Sequence, residues 1–305
     1  MFTAVAPGGA ASALKPRDLA ALVLLAALWG SSFLFMRIAA PQFGPVLLVA
    51  VRVGIAALML VTLLAVRGHA RALWRHWWVL LVLGVANTAL PFALYAWAML
   101  SIAASFAAVT NATAPLFAAL IGWLWLRDKL SLAASVGLVV GFAGVVVLVW
   151  PRLSGAGDVS IWAVAACFGA TLSYGWSANY TKRRLAGVDA LVIAAGSQLY
   201  ATLALLPLAI IGLPAESPSA DAWFAALFLG VACTGFAYIL YFRLLVRVGP
   251  ARAVGVAYLV PVFGMLWGSA LLDERITSTM MLACAIILAG IGLSSGVLRF
   301  PRLRR

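Results

Sequence analysis

The chain has 305 residues, of which 66% are hydrophobic and only 10% charged, yet its formal net charge is +13. Its mean hydropathy is +1.11, and a water-soluble fold of this length needs far more charge to cover its surface. Composition therefore excludes an ordinary soluble enzyme and places the chain in a bilayer, where excess basic residues mark orientation and no nucleic-acid partner is expected.

Residues 1–17 are rich in Ala, Gly and Pro and end in Lys15-Pro16-Arg17, which reads as an N-terminal cytoplasmic tail. Apolar runs of about 20 residues follow, the length that crosses a hydrocarbon core. They are Leu19–Ala40, Pro45–Val66, Trp77–Leu100, Ala103–Leu126, Leu132–Trp150, Ile161–Thr181, Ala190–Gly212, Trp223–Val246, Ala251–Leu272 and Ser278–Leu298, ten in all. Residues 299–305 form a basic C-terminal tail. The connections are too short to fold alone, so no soluble domain is left to carry an enzyme. Cys167, Cys233 and Cys284 all lie inside apolar runs, which excludes a disulfide framework or a cysteine metal cluster. No metal or cofactor is expected.

Basic residues set the orientation. With the N-terminus inside, 17 of the 21 Lys and Arg residues fall on the cytoplasmic side, only Arg37, Arg152 and Arg275 face out, and Arg52 lies within a span. Both termini are then cytoplasmic, in a multi-pass protein of the inner membrane.

The middle of the chain is written twice. Leu83–Ser131 lies without a gap on Leu229–Thr277, an offset of 146 residues. Leu83-Gly84-Val85-Ala86 falls on Leu229-Gly230-Val231-Ala232, Thr88 on Thr234, Leu94-Tyr95 on Leu240-Tyr241, and Pro115 on Pro261. Gly122 falls on Gly268, and Asp128-Lys129-Leu130-Ser131 on Glu274-Arg275-Ile276-Thr277. The chain divides into a first repeat over 18–152 and a second over 153–298. Each holds five spans, an odd number, so the second copy enters from the opposite side. Inverted repeats of this kind are the architecture of many secondary transporters. The fold class is an all-α integral membrane protein of ten transmembrane helices in two inverted five-helix repeats.

Trp29-Gly30-Ser31-Ser32-Phe33, Arg52, Gly137…Gly141…Ala143-Gly144, Pro115-Leu116-Phe117 with Asp128-Lys129, and Pro261-Val262-Phe263 with Asp273-Glu274 carry a family resemblance. Across the whole chain the sequence resembles the drug/metabolite transporter superfamily, EamA-type. The resemblance implies inverted repeats around a central cavity that moves small metabolites, often outward. Asp128 stands where Glu is usual and Arg37 where Lys is common, and both keep charge type. Small multidrug exporters of the superfamily use a buried Glu in their first helix; Leu19–Met36 has no acid.

All eight acids lie at span ends or in connections. An intramembrane carboxylate is the default proton relay, so carboxylate-based proton antiport is disfavoured, and facilitated diffusion or exchange is expected. Arg52 lies about two turns inside its span and reads as a counter-charge for a substrate carboxylate, or as structural, since its repeat partner Gln198 is also polar. Asn87, Asn111, Ser173, Ser177 and Tyr180 lie on faces of small and polar residues that suit a cavity or close helix packing. Trp29, Tyr174, Trp176, Tyr238 and Tyr258 are the deep aromatics, and a shift of 147 sets Trp29 on Trp176 as a symmetric pair. Aromatic walls suit flat, amphipathic side chains. Trp74, Trp77, Trp78, Trp123, Trp125, Trp150, Trp162 and Trp223 sit near span ends, as an interfacial belt does. Pro91, Pro115 and Pro261 free backbone groups and mark hinges or kinks.

The sequence reads as a secondary carrier for a small amphipathic metabolite, amino acids first (aromatic or large apolar), working as an exporter by alternating access. An uptake permease, or a proton-coupled exporter of other metabolites or drugs, is the alternative on the same fold. An integral-membrane enzyme would need clustered His, Asp and Glu, which are scattered here. The expected partners are the substrate and the bilayer; the sequence leaves the oligomeric state open and is compatible with a monomer.

Overall fold

A computed structural model of the protein describes residues 15–153, 160–253 and 255–298. The predicted tails therefore lie mostly outside the described residues, although Pro16 and Arg17 already belong to the first helix. Helices α1 (Pro16–Phe43), α2 (Pro45–Val66), α3 (Trp77–Ala98), α4 (Ala104–Leu126) and α5 (Leu132–Leu153) form the first half. Helices α6 (Ile161–Arg184), α7 (Ala190–Ile211), α8 (Ala220–Val248), α9 (Val256–Leu272) and α10 (Ser278–Ser294) form the second. Among the described residues there is no strand. Seven of the ten helices are long and apolar enough to cross a membrane. Helices α9 and α10 are apolar but shorter, and α6, although 24 residues long, is the least apolar of all.

Local sequence explains the boundaries. Pro16 and Pro45 occupy the first turns of α1 and α2, where a missing N–H costs nothing. Gly44 between them takes φ +71°, a left-handed conformation that lets α1 stop and α2 start with one residue between. Ser219 caps α8 by accepting from Ala222 N, and Asp189 caps α7 by accepting from Leu191 N. The tryptophans read as an interfacial belt are all exposed.

Packing obeys the duplication. Helix α2 packs on α7, α4 on α9, and α5 on α10, each pair mapping onto itself when the repeats are exchanged. Contacts of α1 with α8 and α9 are matched by contacts of α6 with α3 and α4. Irregularities are duplicated too. A π-helical turn at Val85–Ala89 in α3 has its copy at Val231–Phe236 in α8. Arg127 and Asp273, equivalent residues after α4 and α9, are the two non-glycine residues with positive φ among the described residues. After each, the next N–H (Asp128, Glu274) bonds back to the glycine carbonyl of Gly122 or Gly268 at 3.1 Å.

The three prolines behave differently. Helix α4 is interrupted at Ala112–Thr113, just ahead of the Ala114-Pro115 pair that restarts it, and the Pro115 ring excludes the carbonyl of Asn111 from its helical bond. Thr110 and Thr113 add hydroxyl bonds to carbonyls three residues back. Pro261 sits inside continuous helix, and the second repeat breaks earlier, between the short helix Pro250–Ala253 and α9. Pro91 follows the first π-helical turn, and the copy of that turn in α8 has Ala237 instead.

Glycines on α5 and α10 let the two backbones touch. A Cβ on Gly137 would lie 2.6 Å from Gly290 O, and one on Gly144 2.9 Å from Ile287 N. This is the packing of small residues that substitutes for hydrophobic driving force in lipid. Gly290→Val is expected to destabilise the protein by about 1–3 kcal/mol or more by overpacking. Gly54→Ala, whose new methyl would meet only Thr202 Cγ2 at 3.5 Å, is expected to be close to neutral. Thermal unfolding in detergent compares them, and equal midpoints would refute this account of the α5–α10 contact.

Candidate functional site

A cavity of about 560 Å³ lies where the two repeats meet. On α1 it is lined by Trp29, Ser32, Phe33 and Met36, the spacing of one helical face. Helix α2 contributes Arg52; α3 contributes Asn87, Phe92 and Tyr95; α4 contributes Asn111, Ala112, Ala114, Pro115 and Ala118. From the second repeat come Tyr174 and Ala178 on α6, Cys233, Thr234, Tyr238 and Tyr241 on α8, and Ala257 and Val260 on α9. No described lining residue is Asp or Glu, and Arg52 is the one Lys or Arg among them.

The π-helical turn of α8 builds the Arg52 socket. Widening the helix by one residue brings Thr234 Oγ1 to the carbonyl of Leu229, five residues back, to which it donates at 2.8 Å. The same oxygen accepts from Arg52 Nε at 2.9 Å. Arg52 Nη2 reaches Ser32 Oγ at 3.4 Å, Nη1 reaches Met36 Sδ at 3.6 Å, and the guanidinium carbon sits 3.9 Å from the Phe92 ring centre. All four neighbours are neutral, so the guanidinium is held in place and its charge is not cancelled.

Two ring pairs flank the cavity, and they are copies of one another. Trp29 meets Tyr241 with centroids 5.4 Å apart, and Tyr174 meets Tyr95 at 6.4 Å. Tyr95 and Tyr241 are equivalent at the offset of 146, so Trp29 corresponds to Tyr174 and not to Trp176. The glycines agree: a Cβ on Gly30 would meet Gly264 N at 2.9 Å, and one on Gly175 would meet the equivalent Ala118 N at 2.7 Å. The alignment of Trp29 with Trp176 is thus two residues out of register. Trp176 instead stacks between Trp125 at 5.7 Å and Tyr180 at 4.9 Å, away from the cavity.

Of the residues singled out from sequence, Trp29, Arg52, Asn87, Asn111, Pro115, Tyr174 and Tyr238 line the cavity. Ser173, Trp176, Ser177, Tyr180, Gln198, Tyr258, Pro91 and Pro261 are not among the lining residues. The reason on α6 is angular: Ser173, Ser177 and Tyr180 share a face about 100° round from Tyr174 and Ala178. Ser173 Oγ donates to Ala86 O on α3, and Ser177 is fully buried. Tyr258 Oη pairs with Ser295 Oγ at 2.9 Å, and Gln198 is fully buried against Thr88. Sequence reading missed Thr234, Tyr95 and Tyr241 as lining residues, although all three are repeated and the repetition was the available signal. It also missed Asn179, whose amide donates to Ala118 O and Gly175 O and ties α6 to α4.

The ends of the cavity differ. Where α4 begins, Ala104–Thr110 are all buried, Arg37 donates to Met99 O, and Phe43, Met99 and Ile102 are fully enclosed. Glu274 caps α4 there, accepting from Ala104 N at 2.7 Å and Ser105 N at 2.9 Å. At the opposite end the equivalent Asp128 forms an exposed pair with Lys182 at 2.7 Å. Asp18, the one buried acid among the described residues, lies in the first turn of α1 with Arg247 at 3.6 Å, outside the cavity lining.

A helical inverted repeat with an aromatic cavity where the repeats meet is an architecture of membrane transporters. The chain belongs to the EamA-like transporter family, which matches residues 18–150 and 161–296. It is 29% identical over 301 residues to YedA of Escherichia coli strain K12, named an uncharacterized inner membrane transporter, covering 92% of each chain. It is 25% identical over 284 residues to YvbV of Bacillus subtilis strain 168, named an uncharacterized transporter, again covering 92% of each. A protein of Streptantibioticus cattleyicolor named "Probable terminal-alkyne amino-acid exporter" is 22% identical over 273 residues, with 90% of this chain and 91% of that one covered. A solved crystal structure shares the fold with a TM-score of 0.64 at 22% identity, covering 93% of this chain and 98% of the other. These relatives make the protein a multi-pass membrane transporter and not an enzyme.

Glu274→Gln is expected to lower stability in detergent by about 1–2 kcal/mol, because it removes a charged acceptor from two buried N–H groups. Asp128→Asn, at the equivalent but exposed end, is expected to cost under about 1 kcal/mol. Equal losses by thermal unfolding would show that the two ends are not closed differently.

Proposed function

We propose that this carrier exports small amphipathic metabolites, amino acids with aromatic or large apolar side chains foremost, across the inner membrane by alternating access. The observation that carries the proposal is the cavity itself: at the interface of the repeats, its described lining holds two aromatic ring pairs and one guanidinium, with no carboxylate. Aromatic walls accept a flat apolar body, Asn87 and Asn111 offer neutral polar contacts, and Arg52 meets a carboxylate. The relative named as an amino-acid exporter supports the same class. Orientation follows from the basic residues, with both termini cytoplasmic, so the tightly buried end of α4 faces outward and substrate enters from the cytoplasm. With no acid among the described lining residues, movement is facilitative or by exchange.

The test is counterflow in proteoliposomes with a labelled amino-acid panel, with and without an imposed pH gradient. Labelled phenylalanine, tryptophan or leucine is expected to accumulate against its unlabelled counterpart, with no response to the gradient. Trp29→Ala is expected to raise the half-saturating concentration at least about tenfold, the loss of a stacking wall worth 1.4 kcal/mol. Flux that follows the pH gradient would refute uncoupled movement, and wild-type affinity in Trp29→Ala would refute the cavity as the substrate site.

A further inference from the structure

The duplication contains its own control for Arg52. Arg52 and Gln198 are equivalent residues on α2 and α7, and their partners Thr234 and Thr88 are equivalent residues in the two π-helical turns. Arg52 Nε donates to Thr234 Oγ1 at 2.9 Å; Gln198 Nε2 donates to Thr88 Oγ1 at 3.5 Å. Tethering the widened turn therefore needs an N–H donor and no charge, because Gln198 does it while neutral. The charge of Arg52 exceeds the shared structural task.

Its placement differs as well. Gln198 is enclosed away from the cavity lining, whereas Arg52 lines it. A guanidinium has five N–H donors. Among the described residues its three nitrogens make one contact each, to Thr234, Met36 and Ser32, which leaves two N–H groups. A cation at membrane depth with only neutral partners is costly. The complement that answers both the charge and the spare donors is a carboxylate, which takes two N–H bonds from a guanidinium. Nothing of opposite sign faces the ammonium of a zwitterion among the described residues, since none of those lining the cavity is an acid.

We infer that Arg52 makes the central cavity a site for organic carboxylates with an apolar or aromatic body, in which the carboxylate is the recognised group and an ammonium is dispensable. This rests on the carrier reading for the cavity and narrows it: amino acids are bound as carboxylates, and their deaminated analogues are bound as well. Arg52 is fixed by Ser32, Thr234 and the Phe92 ring, so the site is set before substrate arrives, and the ring pairs Trp29–Tyr241 and Tyr95–Tyr174 stand beside it for the apolar body.

A matched series tests the inference on the full chain: 3-phenylpropionate, L-phenylalanine, phenylalanine amide and phenethylamine. Binding is read by thermal shift in detergent, and transport by competition against labelled phenylalanine counterflow in proteoliposomes. The two carboxylates are expected to bind within a few-fold of each other, and the amide and the amine at least about tenfold more weakly. Arg52→Gln reproduces the arrangement of the other repeat, so its ligand-free melting temperature is expected to stay near wild type while the preference for carboxylates disappears. Arg52→Lys is expected to keep part of that preference.

Phenethylamine binding as well as phenylpropionate, or an unchanged preference in Arg52→Gln, would overturn the inference. If phenylalanine is carried but phenylpropionate is neither bound nor carried, the carboxylate inference falls and the carrier reading stands. Binding of both carboxylates without any flux would keep the inference and remove the carrier reading. No response to any of the four compounds overturns both.

Discussion

Five helices per repeat is an odd number, and that constraint governs the rest of the structure. Two copies with opposite entry can pack only through a two-fold axis lying in the plane of the membrane. Helices near that axis meet their own copies, as α2 meets α7, α4 meets α9 and α5 meets α10. Helices away from it cross over in matched pairs. The cavity forms at the interface because the helices that bound it, α1, α3 and α4 with their copies, carry their small and aromatic faces inward. In lipid, backbone groups released by a break must find partners inside the protein. The π-helical turns show how: Thr234 takes up a released carbonyl and, through the same oxygen, holds Arg52.

The symmetry is broken at the two ends of the cavity. Asp128 and Glu274 follow the same left-handed residue and the same backbone bond, but one is a methylene shorter. Glu274 seals the start of α4, while its equivalent sits in solvent with Lys182. A similar break separates Arg52 from Gln198. Both differences are single residues laid over a common frame.

The fold was largely legible in the sequence because its signals are additive. Long apolar runs, basic asymmetry and a gap-free internal match each sum over many residues. The candidate site was legible only in part because it depends on angle. Along α6, Tyr174 and Ser173 are neighbours in sequence but point about 100° apart, and no repeat count separates them. The pairing of Trp29 with Trp176 shows the same weakness: two matching tryptophans outweigh a register that appears only when the ring pairs with Tyr95 and Tyr241 and the contacts of Gly30 and Gly175 are compared in space. The π-helical turns left no mark in composition, yet they decide what Thr88 and Thr234 touch.

The lengths of the helices carry a further consequence. Helix α1 has 28 residues and α10 has 17, which at 1.5 Å per residue makes them about 42 Å and about 26 Å long. A hydrocarbon core of about 30 Å matches neither length, and helices meet such a mismatch by tilting, by snorkelling flanking residues or by deforming the lipid around them. Because α10 lies against α5 and adds no residue to the cavity lining, the mismatch of the shorter helix falls on the flank that those two helices form. A thicker bilayer would therefore bear on the α5–α10 glycine contact before it reached the aromatic cavity.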